Sequence, residues 1–191
     1  GEPILFVTNP KGINRDVRRR SLDALRKLNE LELKEFGDPE TLTRINQYEL
    51  AFRMQMSVPE ALNMSGETAE TQRLYGIDQG PTKTAGQRLL VARRMVERGV
   101  RFVQLFTKNQ YWDHHGDIKN SLPASCKKID RPIAALVKDL RGRGLLDSTV
   151  VHWGGEMGRL PVVQNEANIG RDHNTNGFSM WVAGGGFKGG C

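Results

Sequence analysis

The chain has 191 residues, of which 38% are hydrophobic and 26% charged, a balance that suits one globular domain or part of a larger one and excludes a disordered chain. No apolar run approaches the roughly 18–20 residues of a membrane span, so no membrane span is expected. The net charge of +6, from 28 basic and 22 acidic residues, is interleaved with acids on helix-like stretches such as R-R-R-S-L-D-A-L-R-K-L-N-E, which reads as solvated helix faces and not as a nucleic-acid surface.

The first ten residues lack the basic-then-apolar layout of a secretory leader. Ile4–Val7 reads as a short strand closed by the turn Asn9-Pro10-Lys11-Gly12. Leu22, Leu25 and Leu28 give helical spacing from about Asp16 to Glu35, ended near Gly37. Asp38 and Pro39 then suit the cap and first turn of a second helix, with Leu42, Ile45, Tyr48, Phe52 and Met56 as its apolar stripe and Pro59 as its close. Ser65, Glu67 and Thr68 open a shorter helical stretch ending at Gly76, and a further helix runs from about Gly86 to Arg98. Arg101–Phe106 is a β-type run. A helix is expected from about Ser121 to Arg143, with Ile129, Ile133, Leu136, Val137 and Leu140 on one face. Thr149–Trp153 and Phe178–Ala183 read as the next strands. A strand, a helix and a strand at this spacing predict a parallel crossover unit. The expected organisation is therefore a mainly helical insertion or cap over residues 13–99 and a strand–helix–strand core over 100–191. The chain begins in a strand-like run and stops in a glycine-rich loop, so it reads as an internal fragment of one domain.

All four histidines lie between positions 114 and 173. Three polar segments sit beside predicted strands: Y-W-D-H-H-G-D, G-G-E-M-G-R and G-R-D-H-N-T-N-G. Ligands of parallel sheets bind beyond the carboxyl ends of strands, so the first two segments are expected to converge there, with the third along the same rim. Imidazole nitrogens and carboxylate oxygens suit a divalent cation without any thiolate. Asp113, His115, Glu156, Asp172 and His173 are the candidate ligands. Arg159 is placed to neutralise a substrate oxyanion. His152, inside an apolar strand, reads as a packing histidine. Cys126 and Cys191 form no disulfide framework. The fragment Gly80-Pro81-Thr82-Lys83-Thr84 lacks the second glycine of a phosphate loop, and no G-x-S-x-G elbow exists.

With those segments in view, the chain resembles a bacterial family of exported, sulfatase-like domains of unknown function within the alkaline phosphatase superfamily. The motifs carrying the resemblance run through nearly the whole sequence: Y-E-L-A-F-R-M-Q, P-E-A-L-N-M-S-G-E, L-L-V-A-R-R-M-V-E-R-G-V-R-F-V-Q, W-D-H-H-G-D, G-L-L-D-S-T-V-V-H-W-G-G-E-M-G-R, R-D-H-N and W-V-A-G-G-G-F-K-G-G. The resemblance implies an α/β fold: a partial α/β/α sandwich of the alkaline-phosphatase-like type, with a mostly parallel sheet and a helical N-terminal region. It also implies export to the periplasm or cell envelope. The activity it implies is metal-dependent hydrolysis of sulfate or phosphate esters on a small molecule or polysaccharide, with zinc, manganese, calcium or magnesium as the cofactor. Asp113, His115 and His173 match the ligands of one metal position. Glu156 stands where many members carry Asp, and Met157 stands where they carry a histidine of the second metal. A thioether is a poor ligand for a hard cation, so the resemblance implies one complete half-site, with the nucleophile expected upstream. A non-catalytic cell-envelope binding protein with the same fold is the competing expectation.

Overall fold

The computed structural model describes residues 9–190, the side chains of Met56 and Ser57 excepted. The expected strand Ile4–Val7 lies outside the described residues. The chain divides between Asn63 and Met64 into two compact units.

The first unit is a pair of helices, α1 (Arg15–Phe36) and α2 (Pro39–Leu62). The Asn14 side chain accepts from Val17 N at 2.9 Å and starts α1. Gly37, at φ 66°, ends it in the left-handed conformation, where its N–H donates to Leu33 O. Only Asp38 separates that stop from Pro39, so the chain reverses at once. The buried positions of α2 include Thr41, Phe52, Val58 and Ala61, with Ile45 and Glu49 half-buried between the first two. Leu42 and Tyr48, expected on the buried stripe, are exposed. A polar clamp explains the rotation. Arg19 of α1 donates to both Glu49 oxygens, at 3.2 and 2.9 Å, and stands 4.8 Å from the centre of the Phe52 ring. Long charged side chains can cover apolar surface with their stems, so the face chosen by the ion pair need not be the most apolar one.

The second unit contains α3 (Ala69–Leu74), α4 (Lys83–Glu97) and α5 (Ile118–Gly142), followed by four short strands. The strands are β1 (Val150–Trp153), β2 (Gly158–Arg159), β3 (His173–Asn174) and β4 (Trp181–Gly184). Leu90 of α4 and Ala135, Leu136 and Leu140 of α5 are buried together with Tyr75 and Leu146. Gly86 makes this closeness possible, because a Cβ there would sit 2.3 Å from the Tyr75 carbonyl oxygen. The Gly80–Thr84 segment has a structural role: the buried Thr82 hydroxyl donates to Gly76 O at 2.5 Å.

The core of this unit also contains a charge. Arg93 on α4 is 1% exposed, and its guanidinium meets Glu67 at 2.6 Å, Glu97 at 2.5 Å and Asp139 at 2.9 Å. Tyr75 Oη donates to Asp139 as well, at 3.0 Å. Burial pushes the Glu67 carboxyl up, but hydrogen bonds from Arg93 and Arg94 outweigh it and hold the group below the usual carboxylate range. A buried guanidinium is tolerated when carboxylates surround it, and here α4, α5 and the turn before α3 provide them, with Nε in ion-pair contact with Asp139 but not hydrogen-bonded.

The expected parallel sandwich is not what forms. The strands make two small antiparallel sheets, β1 with β4 and β2 with β3. Arg101–Phe106, expected as the first strand of a crossover, runs without regular structure, and Phe102 and Phe106 are 78% and 73% exposed. A β-type run becomes a strand only where a neighbour completes its ladder. Among the described residues, β1 pairs with β4, from Val150↔Gly184 to Trp153↔Trp181, and no strand pairs with 101–106. His152 points to no core either: it lies in β1 and is exposed.

Replacing Arg93 with Ala leaves Glu67, Glu97 and Asp139 without their shared counter-ion. We expect a loss of about 3–5 kcal/mol in stability, read from urea unfolding followed by circular dichroism. A loss below about 1 kcal/mol would show that the network is not a structural centre of the unit.

Candidate metal centre

Three side chains, from three segments, converge on one carboxylate oxygen of Asp113. Asp113 Oδ1 accepts from Arg159 Nη1 at 2.7 Å and from His173 Nε2 at 2.8 Å. His115 Nε2 lies 2.9 Å from the same oxygen. The two imidazole rings are 5.0 Å apart between centroids. Asp113 is half-buried, whereas both histidines are exposed, so the cluster opens to solvent on the imidazole side.

Local structure explains the convergence. The β2–β3 ladder pairs Arg159 directly with His173. Directly opposed residues of an antiparallel pair project to the same face, which sends both side chains toward Asp113. The loop carrying Asp113 and His115 is held against the segment before β3 by backbone bonds. Arg171 N donates to His114 O at 2.9 Å, and Ile118 N donates to Ile169 O at 3.0 Å. Asn168 Oδ1 accepts from Asp117 N at 2.8 Å, just before α5 begins. Gly170 sits at the crossing. A Cβ there would lie 2.0 Å from both C and O of His115, so only glycine lets the two backbones pass.

Gln164 completes the arrangement, and nothing in the sequence pattern marks it. His115 Nδ1 lies 2.7 Å from Gln164 Oε1. With acceptors at both ring nitrogens, His115 is stabilised in its charged form. Its pKa is raised, first by the Gln164 hydrogen bond, against the opposing effect of desolvation, and then by the charge of Asp113. Burial pushes the Asp113 carboxyl up, but the His173 hydrogen bond and the charges of Arg159 and His115 bring it below its ordinary value.

The other candidate ligands fall outside the cluster. Asp172 is exposed; its Oδ1 accepts from the His173 backbone N–H at 2.8 Å and stands 4.0 Å from His115 Nδ1. Glu156 is exposed in the turn between β1 and β2, and Met157 beside it is half-buried. His114 contributes its carbonyl to the loop crossing, while its Nε2 is buried without a hydrogen-bond partner. All three tryptophans, Trp112, Trp153 and Trp181, line one open groove of about 380 Å³ that begins one residue before Asp113.

The donor set fits a divalent cation. Asp113, His115 and His173 each offer one ligand atom, and these atoms lie within 4.8 Å of one another. Two imidazoles and a carboxylate match the three-ligand pattern in which a further position stays open to water or substrate. Gln164 supplies the partner that fixes the tautomer of such a ligand, Nδ1–H to Oε1, leaving Nε2 for the cation.

Gly170→Ala tests whether the backbone crossing sets this geometry. The added Cβ forces His115 away from Asp113, and we expect cation binding measured by calorimetry to weaken at least about tenfold. Unchanged binding would show that the crossing does not position His115.

No curated protein and no solved structure matches the chain. The chain belongs to the family described as "Protein of unknown function (DUF1501)", whose profile it matches across residues 1–191.

Proposed function

We propose that this protein is a divalent-metal-dependent hydrolase of sulfate or phosphate esters. The observation that carries the reading is the convergence of Asp113, His115 and His173 on one seat, with the Arg159 guanidinium at its edge. Asp113, His115 and His173 would hold the cation. A bound cation supplies Lewis acidity, which polarises an ester oxygen and lowers the pKa of a nucleophilic hydroxyl or water. Arg159 contributes a fixed positive charge for a tetrahedral oxyanion, either the bound ester or the charge that develops as its bond breaks. Gln164 holds the His115 ring in register. No described residue is assigned the role of nucleophile.

The resemblance of the sequence motifs to those of sulfatase-like proteins of the alkaline phosphatase superfamily supports the same chemistry, and with it export to the cell envelope. The tryptophan groove supports an ester with an apolar or ring-bearing leaving group, since aromatic surface near a polar site is how small-molecule sites commonly gain affinity. A second reading is a cell-envelope protein that binds such an ester without cleaving it. The separation of Glu156 from the cluster, with Met157 at its side, favours this reading, because it leaves a single cation seat.

We expect equilibrium dialysis followed by elemental analysis to find one tightly held divalent ion per chain, and His115→Ala to lose it. The wild type is then expected to hydrolyse aryl sulfates or aryl phosphates, with turnover abolished in His115→Ala. Binding of the ester without turnover would favour the second reading. Protein that stays metal-free after exposure to zinc, manganese, calcium and magnesium would contradict both.

A further inference from the structure

Arg159 is the third donor on Asp113 Oδ1. That oxygen accepts from Arg159 Nη1 and His173 Nε2, and His115 Nε2 is also within contact distance. A carboxylate oxygen has two lone pairs, so three nitrogen contacts already saturate it. When a cation arrives, each imidazole can release its Nε2 proton to solvent and offer that nitrogen's lone pair instead. Arg159 has no such exchange, since a guanidinium carries donors only and cannot be deprotonated. It therefore remains a positive charge beside any cation that takes this oxygen.

We propose that Arg159 competes with the divalent cation for the Asp113 carboxylate, and so acts as the residue that sets the cation affinity of this site. The inference rests on the proposed cation seat and adds to it a sign. Arg159 lowers affinity, whereas a residue that merely orients Asp113 would raise it.

Three features support competition. All three nitrogens meet the same oxygen, so the guanidinium already draws on the lone pairs of the oxygen that both imidazoles face. Arg159 is fixed in place by β2, whose partner in the ladder is His173, so its approach to Asp113 is built into the backbone register. Its contact to Asp113 is its one hydrogen bond to another side chain among the described residues. A guanidinium held on a single carboxylate leaves its other donors free to turn toward an oxyanion.

The experiment measures zinc and manganese affinity by isothermal titration calorimetry, without substrate, for the wild type, Arg159→Gln and Arg159→Lys. Melting temperatures and His115→Ala serve as controls for folding and site. Competition predicts that Arg159→Gln binds about tenfold or more tightly than the wild type. It also predicts that Arg159→Lys, which keeps the charge, stays within a few-fold of the wild type. Loss of His115 must abolish binding in the Arg159→Gln background too. A weaker Arg159→Gln, in the range of about 10–100-fold expected for a lost orienting partner, overturns the inference while leaving the cation site intact, and so does unchanged affinity. A wild type and an Arg159→Gln that both bind no cation overturn the cation site itself and the inference with it.

Discussion

The Asp113 carboxylate joins parts of the second unit that regular secondary structure does not hold together. Its loop precedes α5, Arg159 stands on β2, and His173 stands on β3. Neither two-residue strand is long enough to be stable alone. The charge on Asp113 and the two groups facing it, together with the backbone bonds at the loop crossing, fix where β2 and β3 lie relative to the loop. The same interaction that organises this corner of the fold is the one that the proposed cation would have to enter. Structure and proposed function share one oxygen atom.

A second charged centre does comparable work in the helical part of the unit. Arg93 is fully buried among carboxylates from three elements, with Tyr75 against one of them. It contrasts with Asp113 in exposure and therefore in use. Arg93 is closed to solvent and every acceptor around it is taken up, so it serves packing. The Asp113 cluster is open through its histidines, so its ligand atoms can be reached. Burial separates a structural ion network from a candidate site made of the same residue types.

The helices were legible because period and caps act locally. Asp38 and Pro39 start α2, Gly37 and Gly76 adopt the left-handed conformation after helical segments, and the apolar spacing around Leu136 and Leu140 marks the inner face of α5. The sheet was not legible in the same way. Arg101–Phe106 has strand composition, but pairing is a tertiary property, and β1 takes its partner from β4. Face selection on α2 also escaped the pattern, because Arg19 and Glu49 chose it through an ion pair. For the site, Asp113, His115, His173 and Arg159 stand out by residue type, and the structure brings them together. The route differs from the one expected. A two-residue antiparallel ladder and a glycine crossing assemble them, with no parallel strand ends involved. Gln164 and Gly170 had no sequence signal, since one is an ordinary loop amide and the other matters only because another backbone passes beside it.

The central claim is that two imidazoles and one carboxylate form a cation seat. X-ray absorption at the zinc edge of the zinc-loaded protein tests it most directly. The account predicts a mixed shell with two imidazole nitrogens and oxygen ligands, reduced to one imidazole in His173→Ala. A shell of oxygens alone, or one unchanged by that substitution, would contradict it.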